Sequence, residues 1–484
     1  MTAVDVVVVG AGPNGLAAAV TLARAGLRVQ VLERNATAGG GARTAELTEP
    51  GFRHDVCSAV HPLALASPFF RAFQLAARID LRLPEASFAH PLDDGRAGIA
   101  YRDLARTAAG LGVDGPAYER LMRPLAEHAD RIAALTGAPL LRMPDHPLLA
   151  ARFGLRVLEQ ASPLWNARFS DDLAPAMLSG VAAHAIRSMP SIPTSGAGLS
   201  LTAHAHARGW PIPVGGTQAI IDALVDDLLA HGGDLVTDTE VGALDALPSS
   251  RAVLLDVTPR ALLALAGDDL PPRYAAALAR FRYGNAAAKV DFALNAPIPW
   301  ANPDVHGAGT VHLGGTRAQI AAAERTVAAG RHSAEPYVLV SQPTVVDPSR
   351  APAGKHTAWA YTHVPRGSGI DQTEAVTRQI ERFAPGFRDT IIASASRTAI
   401  EFQDYNPNYV LGDIASGAPD LRQLLARPVL GPDPWRTPIA GVYLCSASTA
   451  PGPGVHGLSG WHAALSALRN EFGIGAVPDL SIGA

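Results

Sequence analysis

Val6-Val7-Val8-Val9-Gly10-Ala11-Gly12-Pro13-Asn14-Gly15-Leu16-Ala17-Ala18-Ala19 decides how the rest of this chain is read. Four consecutive valines with turn residues behind them describe a strand buried on both faces, as in a parallel sheet. The G-x-G-x-x-G spacing then turns that strand into a helix. Gly10 permits the tight turn, Gly12 lets backbone approach a pyrophosphate, and Gly15 lets the helix lie close on the sheet. The helix start offers unpaired N–H groups and the positive end of a dipole to an anion. A second strand, Leu27-Arg28-Val29-Gln30-Val31-Leu32, ends on Glu33. An acid there, about 20 residues beyond the glycines, is placed to accept from the ribose hydroxyls of an adenosine. Strand, glycine turn, helix and acid together predict a dinucleotide site, and Glu33 disfavours a 2′-phosphate.

Immediately downstream, Gly39-Gly40-Gly41-Ala42-Arg43-Thr44 is a second glycine-rich loop. It is suited to bring backbone and Arg43 against the remaining phosphate and the far end of the cofactor. Nicotinamide sites do not ordinarily need such a loop, so it tilts the expectation from NAD to FAD.

Composition narrows the class. The chain has 484 residues, enough for two or three packed lobes, and 48% of them are hydrophobic. Lys and Arg total 40 against 44 acidic residues, a net charge of −4 that gives no electrostatic reason to expect nucleic acid. Cys57 and Cys445 stand far apart with no C-x-x-C, so dithiol chemistry lacks its parts. Both read as small apolar residues in a reducing compartment. The apolar N-terminus has no basic flank and is broken by Gly10, Gly12 and Pro13, unlike a signal peptide. No uninterrupted apolar run is long enough to span a bilayer. The expectation is a soluble, cytoplasmic protein.

Residues 63–200 read as mostly helical, with a hairpin turn at Pro91–Arg96 and helical spacing over Ala117–Leu135 and Pro147–Phe169. The last of these mixes Leu148, Leu149, Phe153, Leu155 and Leu158 with Arg152 and Arg156. It reads as a cap helix over a substrate cavity, with transient contact at a membrane surface as the alternative. Prolines and small residues at Met189–Gly196 mark a linker. His204 and His206 have no third ligand nearby, so no metal is expected. Gly215-Gly216 opens a helix, Gln218–His231, and strands at Leu235–Val241 and Val253–Val257 return to the nucleotide fold. From Ala286 to about Thr398, alternating strands such as Ala288–Leu294 and Thr357–Val364 describe a mainly antiparallel substrate lobe. Near the end, Gly441–Cys445 is a buried strand. A glycine-rich loop, Ser446–Gly457, and a helix, Leu458–Asn470, follow it. Strand, loop and helix at both ends suggest one cofactor held by both termini, with the His456-Gly457 helix start aimed at the pyrimidine edge of a flavin.

With these segments in place, the chain resembles the phytoene-desaturase-like FAD-dependent oxidoreductases, and within them the group of pyridine nucleotide-disulphide oxidoreductase domain-containing protein 2. The shared landmarks are the N-terminal motif with Glu33-Arg34 and Gly39–Thr44, and His206–Pro211 with Gly215-Gly216. Leu411–Ile414 and Arg436–Ile439 leading into Val442–Gly460 complete them. The resemblance implies noncovalent FAD. Pyrophosphate contacts would fall on Ala11, Gly12, Asn14 and Gly15, a ribose contact on Glu33, and further contacts on Arg34, Gly40, Gly41, Arg43, Val241, Gly457 and Leu458. It also implies an α/β fold. A Rossmann-like FAD-binding domain would be built from residues 1–70, 201–275 and 431–484. A helical cap would cover 71–200, and a mixed or antiparallel substrate lobe 276–430. The chain departs from the family in its C-terminal loop, where Ser446, Ser448, Ala450 and Pro453 replace residues of a Cys-Gly-x-Gly-Thr-His-Pro-Gly-Gly-Gly pattern. A role for the His before Pro-Gly is therefore absent.

The expected reaction is hydride transfer between an apolar, polyene or lipid-like substrate carbon and flavin N5, with oxygen, a quinone or another diffusible electron acceptor reoxidising the flavin. His61 and His456 are the candidate proton handlers; Tyr361, His363 and Trp461 are candidates for the cavity or the core. Amine oxidation on the same fold would call on Lys289, the strand lysine. A lipid- or protein-binding module with a degenerate flavin site is the remaining alternative.

Overall fold

A computed structural model describes residues 4–483. Its first layer is a five-stranded sheet in which every neighbouring pair is parallel. The order is Val442–Leu444, Ala252–Leu255, Val6–Val9, Val29–Leu32 and Asp234–Val236. Val6, Val7 and Val8 are fully buried because helices and loops cover both faces of the central strand. The helix Pro13–Arg24 lies on one face, between the sheet and the C-terminal helix Leu458–Phe472. These helices meet at Gly460, where an added Cβ would sit 1.7 Å from the carbonyl oxygen of Asn14. Chain head and chain tail are thus neighbours in the helix layer, while in the sheet the single strand Ala252–Leu255 lies between them.

The second layer is a seven-stranded mixed sheet. Its order is Ile391–Arg397, Ala286–Leu294, His356–Val364, Val338–Ser341, Ala308–Leu313, Ala86–Pro91 and Ala97–Tyr101. All neighbours are antiparallel except Ala308–Leu313 against Ala86–Pro91. The expected discontinuous α/β architecture is present, with three local corrections. The hairpin around Pro91–Arg96 lies in a stretch read as mostly helical, yet its strands extend the substrate-lobe sheet. The supposed linker Met189–Gly196 instead runs into a buried helix, Ile192–Ala207, whose one proline, Pro193, falls in the first turn where a missing N–H costs nothing. The helical spacing of Ala117–Leu135 is split in two at His128. The helix Pro147–Gln160 buries Phe153 and Val157 in the cap's own core and leaves Leu148, Leu155 and Leu158 exposed. Among the described residues, no helix is long and apolar enough to cross a membrane.

Candidate functional site

A cavity of about 650 Å³ runs along the seam between the two sheets. Its walls fall into groups by the elements that supply them. The carboxyl end of the second strand and the loop after the fifth supply Glu33, Arg34 and Val241. The first turn, the second glycine loop and the end of Ala252–Leu255 supply Gly10, Gly12, Asn14, Gly40, Gly41 and Asp256. Cys57–Leu63 face Ser446, Ala447 and Pro453–Val455, so head and tail wall the same space. Beyond them the seven-stranded sheet and the cap contribute Thr310, Trp359, Tyr361, His184 and Trp210.

The glycine spacing has a steric cause visible here. Gly10 holds φ +99°, and an added Cβ at Gly15 would fall 2.0 Å from the Gly10 carbonyl oxygen. Neither position accepts a side chain. The helix that follows begins at Gly12, which has no side chain to cap it. The Asn14 Oδ1 is buried without a partner beside this helix end. Glu33 faces the cavity and is held from behind: Oε2 accepts from the Ala11 N–H at 2.9 Å and Oε1 from the Asn35 N–H at 2.9 Å. A helix end opened by a glycine, an acid at the ribose position and a continuous passage into the head–tail seam fit an extended dinucleotide such as FAD.

Arg43 is not on the wall. Its guanidinium donates to the Thr37 and Ala38 carbonyls and to Glu33, so it pins the second glycine loop and the acid rather than facing the cavity. Ala11 and Gly15 act through backbone packing behind the wall, and Gly457 and Leu458 lie behind the tail loop. The Leu458 N–H is already taken by the His456 Nδ1 at 3.0 Å. That bond makes Nδ1 an acceptor, so Nε2–H donates to the Gly452 carbonyl at 3.2 Å. Both nitrogens of His456 are spent on closing the helix start, and burial holds its pKa down near 4. This geometry leaves it no nitrogen for proton transfer.

His61 is different. It lines the cavity, its Nε2 lies 2.8 Å from Thr217 Oγ1, and its Nδ1 has no partner. Thr217 donates its own hydroxyl to the Ser58 carbonyl, so it accepts from His61 and fixes the Nε2–H tautomer. The Nδ1 lone pair is left free. Burial lowers the His61 pKa to about 4, which keeps the ring neutral at ordinary pH.

Lys289 lies off the wall. Its ammonium donates to the Asp55 carbonyl and to Asp291, each at 2.6 Å, 5.7 Å from the centre of the Trp359 ring. Burial lowers its pKa, opposed by Asp291. His363 is buried against Glu324 at 2.6 Å. His206 donates to the Tyr101 carbonyl and accepts from Tyr118, a structural pairing, while His204 is buried with neither ring nitrogen bonded. No residue of Pro147–Gln160 reaches the cavity; the cap touches it through His184, Ile186 and Leu201. Cys445 is the buried apolar residue expected, whereas Cys57 is on the cavity wall.

Asp256 was hidden in the sequence as an ordinary strand-end residue. Its Oδ2 accepts from the Gly15 N–H at 3.0 Å, at the helix start where a pyrophosphate would sit. Burial raises its pKa to about 7, the Gly15 N–H pulls it back, and the charge on Glu33 adds to the rise. Protonated, Asp256 can donate to a phosphate oxygen; ionised, it repels one. The dissociation constant of FAD from apoprotein should therefore rise several-fold from pH 6 to pH 8, and Asp256→Asn should flatten that dependence. Titration of flavin fluorescence at each pH measures it, and a flat wild-type profile would remove Asp256 from the cradle.

Residues 8–76 match the NAD(P)-binding Rossmann-like domain family. The chain is 27% identical to the rat pyridine nucleotide-disulfide oxidoreductase domain-containing protein 2 across 96% of this chain and 93% of that protein. It is 28% identical to a phytoene dehydrogenase of Streptomyces griseus across 81% and 78%. A solved structure of putrescine oxidase superposes with a TM-score of 0.59, at 18% identity, over 97% of this chain and 98% of that one. The expected kinship with phytoene-desaturase-like oxidoreductases is borne out, and the fold is shared with enzymes whose overall sequences differ greatly.

Proposed function

We propose that this chain, an FAD-dependent oxidoreductase by kinship and fold, works as a dehydrogenase or desaturase on an apolar, uncharged substrate, with oxygen, a quinone or another diffusible acceptor taking the electrons. One observation carries the reading. A single cavity joins the nucleotide cradle to an apolar chamber, and its charged wall residues (Glu33, Arg34, Glu240 and Asp256) all belong to the nucleotide end.

When bound, FAD supplies a two-electron acceptor for hydride leaving a substrate carbon. The chain's residues divide the rest. Glu33, Asn14 and the glycine backbone hold the cofactor's polar length, with Arg34, Gly40, Gly41 and Val241 along it. Trp359, Tyr361 and Trp210 wall the chamber with large rings that exclude water. His61, neutral with Nδ1 free, takes up the proton that accompanies hydride loss, and Thr217 and Ser58 hold its tautomer. Amine oxidation is less well served, because the chamber offers no carboxylate to an ammonium and Lys289 is committed to Asp291. A degenerate binding module is disfavoured by a cradle that remains open to the cavity. The exposed Leu148, Leu155 and Leu158, alongside Arg152, would let such a substrate arrive from a membrane surface.

Anaerobic bleaching of the holoprotein's flavin against a panel of polyenes, neutral lipids and amines tests the proposal. Uncharged apolar compounds should bleach it and amines should not; the reverse would favour amine oxidation. His61→Phe should retain FAD and slow bleaching by at least about tenfold. An unchanged single-turnover rate would exclude His61 as the proton acceptor.

A further inference from the structure

The chamber's floor carries polar atoms that nothing in the chain satisfies. Thr310, Ser341 and Trp359 are cross-strand partners on three adjacent strands, Thr310 opposite Ser341 and Ser341 opposite Trp359. Directly paired residues point to the same face of a sheet, on strands about 4.8 Å apart. Thr310 Oγ1, Ser341 Oγ and Trp359 Nε1 are all buried without a hydrogen-bond partner, and Thr310 and Trp359 line the cavity. Leaving one such group unpaired costs about 1–3 kcal/mol. Two such groups on the cavity wall, with Ser341 between them on the intervening strand, mark a place where an occupant supplies the partner.

The chemistry of that occupant follows from which groups can only give. An indole N–H donates and never accepts, so Trp359 requires an acceptor. His184, on the cavity wall, leads to the same requirement by a longer route. Its Nε2 lies 2.9 Å from His312 Nε2, and His312 Nδ1 is buried without a partner. A buried lone pair without a donor is cheaper than a buried N–H without an acceptor. His312 therefore carries its proton on Nε2 and donates to His184, whose own proton sits on Nδ1. That Nδ1–H makes no hydrogen bond among the described residues. Burial keeps both imidazoles neutral. No cation lines this end of the cavity, and Lys289, behind Trp359, is neutralised by Asp291. An anionic occupant would have no counter-charge.

We propose that the substrate carries an uncharged oxygen acceptor, a carbonyl above all, on its apolar frame. The row Thr310–Ser341–Trp359 together with His184 is the site that recognises it. This deepens the function proposed above and takes its apolar chamber as given.

Three matched probes test it on the FAD-loaded protein: 2-nonanone, nonane and nonanoate. Binding is read from the perturbation of the flavin absorption band and from the unfolding temperature. The ketone should bind at least about tenfold more tightly than the alkane, the difference that one or two hydrogen bonds make. Thr310→Val, which keeps the side-chain shape, should erase several-fold of that preference and leave nonane affinity unchanged, and Trp359→Phe, which also enlarges the chamber, should lower ketone affinity several-fold more than nonane affinity. Equal binding of ketone and alkane, unaffected by either variant, would overturn this inference and leave the apolar chamber standing. Tightest binding by nonanoate would overturn the uncharged acceptor. Failure of all three to bind would overturn the chamber itself, and the inference with it.

Discussion

Gly15→Ala is expected to yield protein holding less than about a tenth of the wild-type flavin, because the clash is with backbone and cannot be relieved by a rotamer change. The new methyl would lie 2.0 Å from the Gly10 carbonyl oxygen and 3.2 Å from Asp256 Cβ. The helix Pro13–Arg24 must then back away from the turn. Its N-terminus leaves the cradle, and the contact of Gly460 with Asn14 opens on the other side. Gly154→Ala is the control. It sits within a helix, with nothing within 4 Å of the added carbon, and should stabilise the chain by about 0.5–1 kcal/mol. Flavin absorbance per mole of purified protein measures both. Full occupancy in Gly15→Ala would mean that the close approach of helix and turn is not what forms the cradle.

The second large effect is acid lability. Burial lowers the pKa of His54 and His184 to about 3 and of His61, His90, His204, His206 and His456 to about 4, and His312 falls well below its ordinary value for the same reason. Unfolded, each would titrate near 6.5. Between those values the unfolded chain binds protons that the folded chain does not, so stability is intact above about pH 6.5 and is lost as the pH falls below it. Asp256 and Asp291, raised by burial to about 7 and about 6, work in the opposite sense. With Asp413, raised by burial as well, they are three groups against eight. Each pKa unit corresponds to about 1.4 kcal/mol, and whole domains hold only about 5–15, so a few of these histidines suffice. The unfolding temperature should drop by on the order of 10 °C from pH 7 to pH 5, with net proton uptake on unfolding. A constant unfolding temperature over that range would show that these imidazoles are solvated.

Much of the nucleotide half was legible because its signals are local. A valine strand, glycines at fixed spacing and an acid at the next strand end constrain backbone within a few residues of one another. The roles of Arg43 and His456 were not legible. Each residue type suited a direct role at the cofactor, and only the packed chain shows that their donors and acceptors are consumed by neighbouring backbone. Asp256 escaped notice because nothing around it in sequence distinguishes a carboxylate at a helix start from one facing water. Thr310, Ser341 and Trp359 are spread over about 50 positions and become a row only through strand register. Leu148, Leu155 and Leu158 illustrate the opposite error, in which real helical periodicity was assigned to the wrong surface of the cap. The helix Ile192–Ala207 was hidden by prolines at its start, which read equally well as a linker.

The edge strand contributed by Val442–Leu444 has a consequence for biosynthesis. Until those residues emerge, the parallel sheet ends at Ala252–Leu255 and the apolar outer face of the first helix waits for Leu458–Phe472 to cover it. A nascent chain thus displays its glycine turn on an unfinished scaffold until residue 472 is made. The cradle is complete only when Val442–Leu444 has joined the sheet and Leu458–Phe472 has docked on Pro13–Arg24. A chain cut before Val442 would leave the outer face of the first helix bare.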